Sequence, residues 1–103
     1  ALGLTDTFIV PNQYKLYQNY PNPFNPTTVI QYDVAELSQI SLTVYDLSGR
    51  EINRLVNEVQ SPGLKTLVWD GKDFMGNRVG AGIYIYQLKS DNYIESKKMI
   101  FVK

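Results

Sequence analysis

Apolar and polar side chains alternate in two stretches of the first half of the chain. The mostly apolar set of alternate positions is Thr28, Ile30, Tyr32 and Val34 in the first stretch, and Ile40, Leu42 and Val44 in the second. The intervening positions are mostly polar. Because successive side chains of a β-strand point to opposite faces, this spacing predicts two half-buried strands with one face on a core.

Three further runs predict strands in the second half. In 64–69, Leu67 and Trp69 share a face opposite Thr66 and Val68. The run GIYIYQLK (82–89) is mostly apolar on both faces, which is typical of a central strand. The run NYIESKKMIFVK (92–103) predicts a last strand.

The segment EINRLVNEVQ (51–60) gives a mixed pattern. Its apolar residues fall at helical spacing, at Ile52, Leu55, Val56 and Val59. It has no good N-cap at Gly49-Arg50, it is short, and predicted strands flank it. We therefore predict an irregular or bulged strand.

Turn residues separate the predicted strands. They are Ser48-Gly49, Pro62-Gly63, Gly76-Asn77 and the run 90–92. Short strands at this regular spacing predict an all-β sandwich or barrel.

The stretch YQNYPNPFNPTT (17–28) contains three prolines, which cannot donate hydrogen bonds in a β-ladder. We expect one strand to end near Tyr20 and the next to begin near Thr27. Phe24, between two fixed turns, is predicted to plug the end of the core.

The amino-acid composition excludes several classes of function. The chain has 103 residues, 44% of them hydrophobic, which indicates one globular domain. Ten basic and ten acidic residues give no net charge, which argues against a nucleic-acid partner. Without histidine or cysteine, the commonest general base, thiolate nucleophiles and thiolate metal sites are excluded. We expect no enzyme and no small-molecule substrate.

The loop WDGKDFMGNRVGAG (69–82) is rich in aspartate and glycine. The loop does not match the calcium-ligand pattern of an EF-hand, because Lys72 and Phe74 occupy positions where that pattern needs ligands. We interpret Asp70 and Asp73 as turn-forming carboxylates and predict no cofactor. A calcium ion held by loop carbonyls with Asp70 or Asp73 is the weaker alternative.

The aromatic residues form two groups. Tyr32, Trp69 and Tyr84 lie on predicted core faces, and Tyr84 fits a tyrosine corner. Four other tyrosines remain free to act outside the core: Tyr14, Tyr17, Tyr20 and Tyr93. They support an alternative function, a carbohydrate-binding or adhesive module.

Four segments occur in an order that resembles the type A C-terminal sorting domain of the type IX secretion system. This family is related to the immunoglobulin-like domain of the flagellar hook-capping protein. The segments are LYQNYPNPFNPTTVIQYDV, ISLTVYDLSGREINRLV, PGLKTLVWDGKDFMGNRVGAGIYIYQL and KKMIFVK. The motif residues are Asn19, Pro21, Asn22, Pro23, Phe24, Asn25, Pro26, Gly49, Trp69, Asp70, Gly71, Gly82 and Tyr84. The resemblance covers 14–103 and implies a seven-stranded immunoglobulin-like β-sandwich.

The resemblance also implies a function. Such domains direct a cargo protein from the periplasm through an outer-membrane translocon, and a sortase-like surface protease commonly removes them. The cargo is then secreted or attached to the cell surface. Residues 1–13 are then expected to link the domain to an upstream cargo, with 8–10 (FIV) as a short edge strand, and Lys103 is expected to be the natural C-terminus.

In this family the last strand carries much of the sorting signal. The matching residues here are Lys97, Lys98, Met99, Ile100, Phe101, Val102 and Lys103. A terminal strand with free backbone groups suggests a receptor that binds by β-augmentation. A structural immunoglobulin-like spacer is the remaining alternative.

Overall fold

The computed structural model describes residues 11–103, and they form an all-β sandwich. Its strands are β1 (Lys15–Leu16), β2 (Thr28–Val34), β3 (Ser38–Asp46), β4 (Glu51–Gln60), β5 (Gly63–Trp69), β6 (Gly82–Lys89) and β7 (Ile94–Phe101). The predicted edge strand at 8–10 lies outside the described residues. Between residues 11 and 103 no helix is long and apolar enough to cross a membrane.

The strands form two antiparallel sheets. One has the order β1-β2-β5 and the other β4-β3-β6-β7. The prediction that 82–89 is a central strand is confirmed, because β6 lies between β3 and β7. The seven-stranded sandwich is confirmed as well.

The core lies between the two sheets. Alternate residues of β2 are buried, as the alternation predicted, and the same holds for Ile40, Leu42 and Val44 of β3. The predicted core aromatics Tyr32, Trp69 and Tyr84 are buried.

The prediction of a bulged β4 is confirmed. Leu42 pairs with Val56 and Thr43 with Arg54, so Leu55 is an extra residue in the ladder. Ile52 is a second extra residue, between Asn53 and Glu51. Each bulge reverses which face the next side chain occupies, and this explains the helix-like spacing of apolar residues.

The sandwich has two ends. At the first, which we call the entry pole, Tyr14 meets the turns 35–37 and 90–93. At the other, which we call the motif pole, residues 21–27 and 101–103 meet the loop 70–81. The turn 47–49 lies at the same pole, because Asp46 pairs with Tyr84 at the start of β6. The described chain therefore enters at one pole, and residue 103 lies at the opposite one.

Candidate functional site

Phe24 plugs the core at the motif pole, as predicted. Its side chain is 1% exposed and stacks on Phe101, with ring centroids 4.9 Å apart. Its ring centroid lies 5.7 Å from that of Trp69, which in turn meets Tyr84 edge to face. Aromatic residues from three of the four motif segments therefore close one end of the sandwich.

The segment 18–24, which we call the clamp, also holds the outer edge of β7. The Phe24 N–H donates to the Ile100 carbonyl at 2.9 Å, and the Val102 N–H donates to the Phe24 carbonyl at 3.0 Å. The Ile100 N–H donates to Asn22 Oδ1 at 2.9 Å. Gln18 Nε2 donates to the Lys98 carbonyl at 2.8 Å.

The clamp changes the expected mode of recognition at β7. Four backbone groups between Lys98 and Val102 already have partners within the chain. A sheet edge whose donors and acceptors are satisfied does not accept another strand. The expectation that a receptor pairs with this edge is therefore wrong for 98–102.

Buried polar contacts anchor the clamp to the rest of the domain. Asn19 donates through Nδ2 to Thr28 Oγ1 at 2.9 Å and to the Pro21 carbonyl at 3.1 Å. Its N–H donates to the Tyr86 hydroxyl at 2.8 Å, and that hydroxyl donates to the Tyr17 carbonyl at 2.7 Å. Burial raises the pKa of Tyr86 to about 12.

The expected strand boundaries around the prolines are confirmed. Tyr20 makes an isolated bridge with Val29, and β2 begins at Thr28. The peptide bonds preceding Pro21, Pro23 and Pro26 are cis.

The residues assigned to the sorting signal lie in two environments. Met99 and Phe101 are buried in the core, and Lys97 is half-buried with its Nζ 3.7 Å from Glu95 Oε2. Lys98, Ile100, Val102 and Lys103 are exposed. These four present their side chains most fully to a partner.

An exposed stripe follows from this division. Lys98 pairs with Ile85, and Ile100 pairs with Ile83, across β7 and β6. We call Ile83, Ile85, Lys98, Ile100 and Val102 the outer stripe. It lies on the solvent side of the four-stranded sheet, next to the motif pole, and its one charge is positive.

The remaining motif residues contribute to the loops of the same pole. Gly71 has φ +74°, and a side chain there would place its Cβ 3.3 Å from Phe101 Cζ, so glycine lets the loop approach the plug. Gly49 lies in the turn 47–49, and Gly82 begins β6. The tyrosine corner is confirmed, because the Tyr84 hydroxyl donates to the Gly80 carbonyl at 2.7 Å.

The aspartates of the loop 70–81 take different positions. Asp73 Oδ1 accepts from the N–H groups of Met75 and Asn77, which confirms its turn-forming role. Asp70 is exposed, with a carboxylate oxygen 3.9 Å from Lys72 Nζ. Within 11–103, no three carboxylate, histidine or cysteine groups cluster in a way that could hold a metal ion.

A groove of about 330 Å³ lies between this loop and the turn after β3. Asp46, Glu51 and Asp73 line it together with Arg50 and Arg78. Hydrogen bonds from Ser48 and from the Arg50 backbone lower the pKa of the Asp46 carboxyl. This carboxylate therefore stabilises its own turn.

The four outer tyrosines do not form one platform. Tyr14 stacks on Tyr93 at the entry pole, with centroids 5.4 Å apart. The Tyr93 hydroxyl donates to Glu95, and burial followed by this bond raises the pKa of Tyr93. Tyr17 donates to Asp33 Oδ2 at 2.6 Å, whereas Tyr20 is 78% exposed. A flat sugar-binding surface needs several exposed rings side by side, and this arrangement does not provide one.

Solved structures with the same fold include two proteins of Porphyromonas gingivalis. Dimeric latent PorU matches with a TM-score of 0.71 at 21% identity, over 91% of this chain and 10% of that one. PorZ, an essential bacterial surface component of the type IX secretion system, matches with a TM-score of 0.61 at 19% identity. That match covers 85% of this chain and 11% of PorZ. This chain thus spans about a tenth of each of these proteins.

A flagellar protein has the fold as well. FlgD from P. aeruginosa matches with a TM-score of 0.58 at 22% identity, over 88% of this chain and 70% of that one. No curated protein sequence matches significantly. The family described as the FlgD Ig-like domain matches residues 25–93, which include five of the seven strands, β2 to β6, in full. This chain therefore belongs to the FlgD Ig-like domain family.

Proposed function

We propose that this chain is a non-catalytic sorting domain that directs an attached cargo protein through the type IX secretion system. Its resemblance to type A sorting domains rests on QNYPNPFNP and the motifs that follow it. The shared fold with PorZ, itself described as a type IX component, supports the assignment. The proposed partners are the outer-membrane translocon and a sortase-like surface protease.

The observation that carries the proposal is the contact between the two most informative segments. The proline-rich motif supplies the clamp, and the clamp holds the strand to which the resemblance assigns the sorting signal. A motif that served only as a strand-to-strand connection would not need Asn22 Oδ1 on the Ile100 N–H. We infer that the motif fixes the position of β7 for a receptor.

We propose that the receptor reads the outer stripe and not the strand edge. Ile83, Ile100 and Val102 offer apolar contacts, and Lys98 and Lys103 add positive charge beside them. A receptor groove with an apolar floor and an acidic rim is complementary to this surface. Met99 and Phe101 then contribute by keeping the strand packed.

The poles suggest how the cargo is arranged. We propose that residues 1–13 form a linker to an upstream cargo and that 14–103 form the domain. The described chain enters at Tyr14 on the entry pole, away from the outer stripe. A cargo attached there leaves the motif pole accessible, and cleavage in the linker releases the cargo outside the cell or for surface attachment.

A reporter fusion tests the function. The whole 103-residue chain is fused to the C-terminus of a periplasm-targeted reporter in a type IX-competent bacterium and in an isogenic strain without the translocon. We expect the reporter outside the cell only in the competent strain. Retention in the periplasm of both strains would contradict the proposal.

The family match also favours a second candidate, a structural spacer like the Ig-like domain of FlgD. A spacer gives no export in the reporter assay. It also predicts that the open reading frame continues into another folded domain beyond Lys103, whereas the sorting function predicts that it stops there.

A further inference from the structure

The two sheets have four outer strands, and three of them are protected against pairing with another chain. β7 is held by the clamp, and β1 has only two residues. β4 has two bulges and carries Glu51, Arg54 and Glu58. Bulges, charges, short length and covering segments are the usual ways in which proteins block sheet edges.

The fourth outer strand, β5, has little such protection. It pairs with β2 over all of its length, from Gly63 to Trp69, with no register shift. In the part of the chain that the structure describes, no strand pairs with its other side. Leu64 is 56% exposed and Val68 is 61% exposed, and Lys65 is its one charged residue.

The exposed residues of β5 are arranged symmetrically. Leu64 and Val68 stand two positions on either side of Thr66, and all three point to the solvent face. We propose that β5 pairs antiparallel with β5 of a second copy of this chain, about a twofold axis at Thr66. Leu64 then faces Val68 of the second copy, and Thr66 faces its equivalent.

This register is the one that suits the side chains. Directly opposed apolar pairs and threonine pairs stabilise antiparallel strands, and like charges directly opposed destabilise them. A twofold axis at Lys65 would place two lysines opposite each other. An axis at Leu67 would leave Leu64 opposite Asp70. Pairing about Thr66 places Lys65 opposite Leu67, so that neither of these two unfavourable pairs forms.

The same axis extends an apolar row across the joined sheets. Tyr20 bridges Val29, and Val29 pairs with Val68. Leu64 of the second copy would continue this row. Because the strand matches itself in charge and apolar content, a second copy fits it better than an unrelated peptide. The proposal does not depend on the sorting function, since the outer stripe is on the other sheet.

The molar mass in solution provides the first test. We expect sedimentation equilibrium of the 103-residue chain to show a concentration-dependent rise toward twice its 11.8 kDa. Thr66→Lys places two lysines across the axis and should stay monomeric. Its circular dichroism spectrum should be unchanged, and so should its melting temperature at concentrations where the wild type is also monomeric. Val59→Lys, on the exposed face of the protected strand β4, should dimerise like the wild type. A wild type that stays monomeric up to millimolar concentration overturns the proposal.

Cysteine cross-linking tests the register. The chain has no cysteine, so an introduced one can only pair between copies. Directly opposed residues have Cα atoms about 4.5–5.5 Å apart, within the range of a disulfide. Thr66→Cys should cross-link to itself, and a mixture of Leu64→Cys with Val68→Cys should give the mixed dimer. Leu64→Cys alone should not, since its copies would be separated by about 13 Å along the strands. Equal cross-linking of all three samples contradicts the register.

Discussion

Phe24 and Phe101 form a parallel β-bridge, and their rings stack at an interplanar angle of 16°. One contact therefore joins the proline-rich motif to the last strand in both backbone and side chain. The core closes there, and β7 loses its free edge there. The position of the outer stripe depends on this contact.

The first prediction concerns the plug. Phe24→Ala removes a buried ring from contact with Phe101 and Trp69, and we expect it to lower the free energy of unfolding by about 3–5 kcal/mol. Phe74→Ala is the matched control, because Phe74 is 76% exposed. Denaturant unfolding measures both. A loss below about 1 kcal/mol for Phe24→Ala would show that the ring does not close the core.

The second prediction concerns the clamp. Asn22→Ala removes the acceptor of the Ile100 N–H, and we expect about 1 kcal/mol less stability and roughly tenfold faster hydrogen exchange at that amide. Asn25→Ala, an exposed asparagine of the same motif, should leave this exchange unchanged. If both variants exchange at the wild-type rate, Asn22 does not hold the strand.

The third prediction concerns Tyr86. Tyr86→Phe leaves the Asn19 N–H and the Tyr17 carbonyl without their partner, and we expect a loss of about 2–3 kcal/mol. Because burial raises the pKa of Tyr86 from 10.0 to about 12, the folded state keeps a proton that the unfolded state loses in this range. Wild-type stability should therefore fall as pH rises from 10 to 12.

The Tyr86→Phe variant tests whether Tyr86 causes this loss of stability at alkaline pH. Tyr86→Phe should show a shallower loss of stability with rising pH, whereas Tyr20→Phe, at an exposed position, should follow the wild type. An equal slope in all three proteins would mean that Tyr86 does not contribute to the alkaline transition.

The fourth prediction concerns acid. Burial raises the pKa of Glu95, but hydrogen bonds from the Tyr93 hydroxyl and the Leu16 N–H, together with Lys97, lower it on balance. The stability that Glu95 provides is present above its ordinary pKa of 4.5 and is lost as pH falls below it. Glu95→Gln should be less stable than the wild type at pH 7 and should lose less on acidification. Ser96→Ala should keep the wild-type slope, and a wild-type slope in Glu95→Gln would contradict the assignment.

Much of the fold could be predicted from the sequence, because the half-buried strands show their two-residue period directly. Thr28, Ile30, Tyr32 and Val34 of β2 are buried as the alternation indicated. β4 was harder, since the bulges at Ile52 and Leu55 replace that period with an apparent helical one. Phe24 was predictable because prolines on both sides limit where the chain can go.

The site was only partly predictable. The bond from Phe24 to Ile100 joins distant parts of the chain, and no local pattern reports such a contact. The resemblance assigned all of 97–103 to the sorting signal, but strand alternation places Met99 and Phe101 in the core and Ile100 on the solvent face. The second tyrosine of GIYIY, Tyr86, was a usable signal for a buried hydroxyl, although its partners Asn19 and Tyr17 could not be inferred.

Secretion of a stripe variant tests the central claim most directly. The reporter fusion carries Lys98→Glu with Ile100→Ser, on the outer stripe. The matched control carries Lys89→Glu with Ile94→Ser, a cross-strand pair on the same sheet face but next to the entry pole. Circular dichroism must show both domains folded, because deletion of 97–103 would remove Met99 and Phe101 from the core and would not be informative.

The quantity measured is the fraction of reporter outside the type IX-competent cell. We predict that the stripe variant lowers this fraction at least tenfold and that the control stays within twofold of the wild type. Equal export of the two variants would contradict a receptor that reads the outer stripe.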